Sequence, residues 1–247
     1  MARRRSHQIA ADGELVVLRD GERPGGRLLR QGDMDASYVD LADERHLEFD
    51  YLRWIRAVLR VRRARQVVHI GAGACSLARA LLAEDRGSRQ RVYEIDGRVL
   101  EIARAHLGLR RMPGLSVRVG DGRDALARHA DASAEAIVID AFTGARVPRR
   151  LVTVEALSQC ARVAPLTIVN VVDSAGWPHA RAVAAGLALA YPGTGALAAS
   201  RRAGNVVAFG FAGVFDAAAL EARVAADPSP PRLFRACDLL GASPWRD

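Results

Sequence analysis

Small residues follow an apolar run in the first half of the chain, and their type and spacing could bind a nucleoside. Gly71-Ala72-Gly73 comes directly after residues 67–70. A glycine turn at the end of a strand lets the backbone approach a ligand without a Cβ in the way. The same residues would also suit a tight turn between a strand and a helix, so this motif alone does not distinguish a nucleoside site from a structural turn.

An acidic pair closes the next apolar run, where Glu94 and Asp96 flank Ile95. A carboxylate at this place can accept two hydrogen bonds from a ribose diol. Glu94 is the better candidate, because Asp96 lies just before a helical pattern and could be its N-cap. Dehydrogenases with a dinucleotide cofactor carry a similar acid, so hydride transfer and group transfer both stay open at this point.

Two further acids follow the third and fourth apolar runs. Asp121-Gly122 could place a carboxylate against an adenine amino group, as is typical of transferases that use sulfonium nucleosides, or could cap the next helix. Asp140 could orient an attacking amine and accept its proton, or could bond the amides of the loop after it. Four suitable strand ends in order predict a nucleoside-binding transferase that uses S-adenosylmethionine or a close sulfonium relative.

The elements that must position these residues alternate between apolar runs and helical patterns. This alternation predicts an α/β, Rossmann-like fold of the class I methyltransferase type, with a mostly parallel sheet and a terminal antiparallel hairpin. The predicted sheet strands are residues 67–70, 91–95, 116–119, 136–140 and 166–172, and the hairpin is 196–201 with 205–211. The predicted helices are residues 75–83, 98–107, 122–129 and 151–162. Residues 227–231 and the tail after them are interpreted as surface chain.

The first part of the chain has a different pattern from the alternating strands and helices that follow it. Short strand-like runs separated by turn residues predict a small antiparallel β cap, and an amphipathic helix follows it. The runs are residues 14–18, 27–29 and 37–41, and the helix is 44–59. We therefore expect an N-terminal cap over residues 1–43 and a Rossmann-like nucleoside-binding catalytic domain over residues 44–247.

Composition excludes several function classes. All 36 basic residues are Arg, so neither a Schiff-base lysine nor a P-loop lysine is available. The formal net charge is +8, but the arginines are dispersed and aromatic residues make up only 5%, which speaks against nucleic-acid binding. Three separated cysteines without a CxxC pair indicate no metal site and favour a cytoplasmic location. No apolar run is long enough to span a membrane.

A few residues with reactive side chains are interpreted as structural. His69 lies inside an apolar run, so a core imidazole is expected there. Trp54 and Trp177 are expected to pack in the interior. Cys75 stands at a predicted helix start, which could lower its pKa, but no His lies near it in the sequence.

The strand-end motifs resemble those of spermidine synthases. The similar stretches are residues 68–73, 92–96, 119–122 and 137–140, with 40–51, 147–148 and 153–155 similar to a bacterial spermidine synthase-like branch. The resemblance covers about residues 14–215 and implies polyamine biosynthesis and a homodimer formed through the cap. It implies that Glu94 holds the ribose, that Asp121 holds the adenine and that Asp140 activates an amine. The amine would then displace methylthioadenosine in line at carbon.

The departures from that family concern mostly the amine end of the ligand. Ala74 replaces the loop Asp that pairs with the aminopropyl amine, and Thr143 replaces a second Asp near the catalytic one. Ala36 occupies the position where the family has a Gln in its cap, and Leu52-Arg53 occupy the positions of a His-Glu pair. Each missing charge-assisted bond would withdraw about 1.5–3 kcal/mol from the binding of a diamine. Putrescine is therefore not expected as the acceptor.

Three functions stay open on these grounds. The first is a spermidine synthase-like enzyme that transfers an alkyl group from decarboxylated S-adenosylmethionine to another small-molecule acceptor. The second is a methyltransferase that uses intact S-adenosylmethionine, because Ala74 removes a repulsion against the carboxylate of that co-substrate. The third is a catalytically silent nucleoside-binding scaffold, since a fold alone does not establish activity.

Overall fold

The first four strands form a separate antiparallel sheet. The computed structural model describes residues 6–71, 73–144, 146–239 and 241–247. The strands are β1 (Ser6–Asp12), β2 (Leu15–Asp20), β3 (Gly26–Gln31) and β4 (Met34–Asp40), each paired with the next. We call this sheet the cap. The strand β1 was not predicted, because its one large apolar side chain, Ile9, is exposed and leaves no alternating pattern.

Helix α1 (Asp50–Val61) follows the cap and begins later than residue 44, where the sequence pattern had placed its start. Leu47 is buried although it lies outside the helix. Its apolar side chain matched the helical spacing by coincidence, which explains the early predicted start. Trp54 lies on the buried face of α1, in agreement with its predicted packing role.

Eight strands form the main sheet, and five of them are parallel, as predicted. The strands are β5 (Gln66–Ile70), β6 (Arg89–Glu94), β7 (Leu115–Val119), β8 (Ala136–Ile139), β9 (Leu166–Asp173), β10 (Gly193–Ala198), β11 (Gly204–Phe211) and β12 (Arg232–Arg235). Their order is β12-β10-β11-β9-β8-β5-β6-β7, with β5 to β9 parallel and β10 to β12 antiparallel to their neighbours. The predicted Rossmann-like fold with its terminal hairpin is confirmed.

Helices cover both faces of the main sheet. They are α2 (Ser76–Glu84), α3 (Gly97–His106), α4 (Gly122–Arg128), α5 (Val154–Val163), α6 (Pro178–Ala190), α7 (Ala217–Ala225) and α8 (Ala236–Leu239), with a 3-10 turn at Arg149–Leu151. Alternate residues of the central strands enter opposite cores. Ile137 packs with α5 and α6 on one face, while Val138 packs with α1 and α7 on the other.

The segment after residue 227 is not simple surface chain, and that interpretation is wrong. Strand β12 pairs with β10 and extends the sheet. Phe234 of β12 is buried and packs edge to face on Trp177, with ring centroids 4.8 Å apart. Only Leu233 and Phe234 are apolar in this strand, which is too short a pattern to recognise in a polar stretch.

None of the helices in the described part of the chain has the length and apolar character needed to cross a bilayer. Within the same residues, no group of three or more His, Cys, Asp or Glu side chains could hold a metal ion.

Candidate functional site

A cavity of about 1040 Å³ lies at the carboxyl ends of the parallel strands, between the main sheet and the cap. Open α/β sheets bind their ligands at this edge. The cavity brings together every predicted site residue that the structure describes: Gly71, Gly73, Glu94, Ile95, Asp121, Gly122 and Asp140. Ala72 lies outside the described residues. What each residue would contact in a bound ligand stays a prediction.

Two glycines in the turn after β5 are required by close approaches of other chain segments. Gly71 has a φ of +86°, and a Cβ there would lie 2.2 Å from the backbone oxygen of Asp140. Gly73 has a φ of +48°, and its Cβ would lie 2.7 Å from the Cβ of Ser37 in the cap. The turn is therefore held between the end of β8 and the cap, so its glycines have a structural reason besides ligand binding.

Gly71→Ala is expected to lower the free energy of unfolding by about 2–4 kcal/mol, because it combines a positive φ with a backbone clash. Gly120→Ala is the matched control: its Cβ would meet nothing within 4 Å. We expect the control to change stability by about 0.5 kcal/mol or less. Urea denaturation of both variants measures the difference, and equal stabilities would show that the turn relaxes at no cost.

The cap is joined to this turn by a buried hydrogen-bond network. Ser37 Oγ accepts a hydrogen bond from the Ala74 amide at 3.1 Å and lies 3.0 Å from Ser76 Oγ. Ser76 Oγ in turn donates to the carbonyl of Tyr38 at 2.7 Å. Ala74 is completely buried in this network and is not part of the cavity wall. In this chain, the side chain at position 74 lies in the joint between cap and sheet and does not line the cavity.

Glu94 ends β6 as a buried carboxylate beside the cavity. Its Oε1 accepts a hydrogen bond from the Asp96 amide at 3.0 Å. Asp96 caps α3, since its Oδ1 accepts from the Arg98 amide at 2.9 Å, and the Arg98 guanidinium lowers the pKa of this carboxyl. The N-cap alternative for Asp96 is thus observed. Ile95 between them is 67% exposed on the cavity wall, an unusual position for a large apolar side chain.

Asp121 caps α4 and also pairs with an arginine. Its Oδ1 accepts hydrogen bonds from the amides of Arg123 at 2.8 Å and Asp124 at 3.2 Å. Its Oδ2 pairs with the Arg150 guanidinium. A Cβ on Gly122 would lie 2.2 Å from a methyl carbon of Ile70, so α4 packs tightly against β5 here. The capping role is observed, and an adenine contact would have to share Oδ2 with Arg150.

Asp140 follows β8 and is bonded by residues from two other elements, one of which is in turn held by a third element. Asn170 of β9 donates from Nδ2 to Asp140 Oδ1 at 2.9 Å, and Asn205 of β11 donates to Asn170 Oδ1 at 3.1 Å. The Tyr51 hydroxyl of α1 donates to the same carboxylate. Burial raises the pKa of Asp140 to about 6, while the bonds from Asn170 and Tyr51 act in the opposite direction. A carboxylate with this pKa is suited to proton transfer near neutral pH.

Three of these partners were missed from the sequence. Asn170 is the one strongly polar side chain in the centre of an apolar run, which is a signal that could have found it. Tyr51 lies within the predicted amphipathic helix over residues 44–59, where no role in the site is predicted for it. Burial raises its pKa well above the usual value, and the charge of Asp140 adds to this effect, so the hydroxyl keeps its proton. No sequence pattern marks Asn205 as a partner of Asn170, because this contact depends on the pairing of β11 with β9.

The cavity wall is strongly acidic although the whole chain has a formal net charge of +8. Nine carboxylates line the cavity: Glu14, Asp33, Asp35, Glu48, Asp50, Glu94, Asp96, Asp121 and Asp140. Arg150 is the single basic side chain among the described residues of this wall. Three of these acids come from the cap and its turns, Glu48 comes from the segment that leads into α1, and Asp50 is the first residue of α1. Four of the nine, Asp35, Asp50, Asp96 and Asp121, form ion pairs with arginines, so the acidic excess that suits the cavity to a cationic ligand is smaller than the full set.

Two reactive residue types near the cavity are structural. His69 is buried and lies with Nε2 2.8 Å from Gln90 Oε1, and burial lowers its pKa to about 4, so it is a neutral core imidazole as predicted. Cys75 is also buried. Burial raises the pKa of its thiol to about 12, which excludes a thiolate nucleophile at neutral pH.

No protein-family model matches the sequence, and no curated protein matches it either. Solved structures do resemble it. A probable spermidine synthase from Corynebacterium glutamicum matches with a TM-score of 0.87 and 25% identity, over 98% of this chain and 96% of that chain. Spermidine synthase from Thermotoga maritima matches with a TM-score of 0.64 and 17% identity, over 90% and 78%. Human methyltransferase-like protein 13 in complex with SAH matches with a TM-score of 0.55 and 20% identity, over 70% and 84%.

These neighbours confirm the predicted resemblance to spermidine synthases and the methyltransferase-type fold. All three are transferases by name, as predicted for this chain. The match to the Corynebacterium protein spans nearly both chains, so it includes the cap as well as the main sheet.

Proposed function

We propose that the protein is a spermidine synthase-like transferase that binds a sulfonium nucleoside in the acidic cavity and transfers an alkyl group to an amine. The observation that carries this proposal is the position of Asp140. It stands beside the glycine turn at the edge where such folds bind nucleosides, burial raises its pKa to about 6, and Tyr51 and Asn170 orient its carboxylate. The likeness to spermidine synthases supports the same reaction class.

The nucleoside would lie across the ends of β5, β6 and β7. Glu94 would accept hydrogen bonds from the ribose hydroxyls, since its carboxylate is fixed by the Asp96 amide. Ile95 and Gly122 would flank the adenine, and Asp121 would bind its amino group if Arg150 shares or releases Oδ2. The turn at Gly71 and Gly73 would allow close approach of the sulfonium tail.

The transfer would proceed by in-line attack of the amine on the carbon next to the sulfonium. The new C–N bond forms as the C–S bond breaks, and the electron pair of that bond leaves with sulfur, so methylthioadenosine departs as a neutral thioether. The proton lost from the amine goes to Asp140, whose pKa of about 6 leaves it deprotonated at pH 7. Tyr51 and Asn170 orient the carboxylate during this step.

The charge of the cavity favours decarboxylated S-adenosylmethionine as the donor. This donor has a sulfonium and an ammonium group, and nine carboxylates line the cavity that would receive it. Intact S-adenosylmethionine has an additional carboxylate, which the acidic cavity wall would repel. Moreover, Ala74 is buried under the cap, so its small side chain does not relieve a repulsion in the cavity.

A methyltransferase that uses intact S-adenosylmethionine is the second candidate. The likeness to human methyltransferase-like protein 13, whose structure contains SAH, favours it. A silent nucleoside-binding scaffold would need neither Tyr51 nor Asn170 around Asp140, so this network argues against it. A homodimer through the cap and a cytoplasmic location remain predictions from the sequence.

Thermal shift with three ligands separates the two transferase candidates. We expect decarboxylated S-adenosylmethionine to raise the melting temperature most, followed by methylthioadenosine and then S-adenosylmethionine. A ligand at 100 times its Kd adds about 2.7 kcal/mol to the free energy of unfolding. The largest shift with intact S-adenosylmethionine would favour the methyltransferase. If none of the three shifts the melting temperature at millimolar concentration, nucleoside binding itself is contradicted.

A further inference from the structure

A second cavity, of about 490 Å³, adjoins the acidic one. We call it the arginine cavity: its described walls are Thr143, Arg146, Val147, Pro148, Arg149, Val171, Val172, Pro178, His179 and Trp245. Thr143, Pro148 and Val172 also line the acidic cavity. The two spaces therefore meet along the loop that follows Asp140 and along the end of β9.

The charge of the arginine cavity is opposite to that of its neighbour. Arg146 and Arg149 supply guanidinium donors, His179 adds an imidazole ring, and no Asp or Glu occurs among the wall residues that the structure describes. A guanidinium group offers planar, paired donors that match a carboxylate or a phosphate. Two adjoining cavities of opposite charge are suited to a ligand with a cationic and an anionic group.

Two of these side chains, His179 and Arg149, are held by fixed partners. Asp173, with its side chain fully buried, lies with Oδ1 3.0 Å from His179 Nδ1 and accepts the Ala180 amide on Oδ2 at 2.8 Å. This contact makes Nδ1 the donor and leaves Nε2 as the ring nitrogen that Asp173 does not engage. The Arg149 guanidinium carbon lies 5.1 Å from the Trp245 ring centroid, and the Trp245 carbonyl accepts the Val154 amide at 2.8 Å. A guanidinium stacked on an indole keeps its edge donors available for an anion.

We propose that the arginine cavity binds an anionic group of the acceptor, so that the acceptor is an amine that also has a carboxylate or a phosphate. This assignment of the acceptor rests on the proposed function, which places the amine at Asp140. The anion site itself rests only on the arginine cavity. A diamine is disfavoured by the same charges, because its second ammonium would approach Arg146 and Arg149, and the described wall residues include no Asp or Glu to offset them.

Tryptophan fluorescence can detect anion binding at this place. The chain has three Trp residues, of which Trp54 and Trp177 are buried and Trp245 lines the arginine cavity. The full chain is titrated with inorganic phosphate and, separately, with acetate, each exchanged against chloride at constant ionic strength. We expect a saturable emission change that disappears in Trp245→Phe. The anion that gives the tighter curve identifies the acidic group as phosphate or carboxylate.

Charge variants test which side chains bind the anion. The double variant Arg146→Gln/Arg149→Gln is expected to weaken anion binding at least about tenfold. Arg223→Gln, an exposed position on α7, is the matched control and should keep wild-type affinity. The proposal is overturned if the wild type shows no saturable change with either anion, if the signal persists in Trp245→Phe, or if Arg223→Gln loses affinity equally.

Methylthioadenosine provides an independent readout on the same proteins. We expect it to raise the melting temperature of the double variant as much as that of the wild type, which shows that the cavity near Glu94 is still folded. If anions bind the wild type but methylthioadenosine does not, the proposed function fails and the anion site stands. If methylthioadenosine binds and anions do not, the anion site fails and the proposed function stands.

Discussion

Replacing Asp140 with Asn is expected to slow alkyl transfer by about 10²–10⁴-fold, the usual contribution of a positioned acid or base. The amide keeps the size of the side chain and an oxygen for the bond from Asn170, but it cannot accept a proton. Nucleoside affinity should be nearly unchanged. The assay follows methylthioadenosine release from decarboxylated S-adenosylmethionine, with an amine from a panel that supports turnover by the wild type.

Asp124→Asn is the matched control, because Asp124 is an exposed acid in the first turn of α4 and does not line the cavity. It should keep wild-type turnover. Equal turnover of wild type and Asp140→Asn would instead assign Asp140 to the structure of the loop. A parallel loss of methylthioadenosine binding in Asp140→Asn would show that the site had been disrupted, which contradicts a role in the chemical step alone.

The pH dependence of turnover gives a second readout for the same carboxylate. Only the deprotonated form can accept a proton, and the pKa is raised to about 6, so the rate should rise from pH 5 to pH 7 with a midpoint near 6. The Tyr51 hydroxyl donates to Asp140 and thereby lowers this pKa. Tyr51→Phe should therefore move the midpoint to higher pH. An unchanged midpoint would place Tyr51 outside the proton-transfer step.

The sequence allowed the strand-end residues to be predicted because their positions depend on local patterns. An apolar run of four to seven residues followed by Gly, Glu or Asp marks the end of a buried strand, and parallel strands bring those ends to one edge. Gly71, Glu94, Asp121 and Asp140 accordingly meet around one cavity. The N-cap role of Asp96 also depends only on its position before a helix.

The partners of Asp140 could not be predicted in the same way, because they meet only through tertiary packing. Tyr51 comes from a helix 89 positions earlier, and Asn205 reaches Asn170 only through the antiparallel pairing of β11 with β9. The acids contributed by the cap depend on how that sheet lies over the glycine turn, which the buried network of Ser37 and Ser76 determines. A local pattern contains no information on such contacts.

These contacts also change the meaning of the missing family acids. The departures at Ala74 and Thr143 remove two acids that the family has at the amine end of the ligand, and Asp140 remains. The structure instead has carboxylates on other segments, since Glu14, Asp33 and Glu48 line the same cavity. The described cavity wall thus has carboxylates, at positions other than those of the family acids.

Glu94→Ala is expected to weaken methylthioadenosine binding about 100-fold, because it removes two charge-assisted hydrogen bonds to the ribose. Glu94→Gln should lie between this variant and the wild type, since its amide oxygen can still accept from the Asp96 amide or from one hydroxyl. Glu101→Gln, an exposed acid on α3 outside the cavity wall, is the matched control and should bind normally. Isothermal titration calorimetry measures all three affinities.

The Glu94 prediction is independent of the acceptor, which makes it the sharper test of the nucleoside site. The ribose is common to both candidate donors and to methylthioadenosine, so the loss should appear with each of the three ligands. Asp140→Asn should then leave binding intact while Glu94→Ala reduces it, and turnover by Glu94→Ala should recover partly at high donor concentration. Wild-type affinity in Glu94→Ala would assign the carboxylate to the turn at Asp96 and would place the nucleoside elsewhere in the cavity.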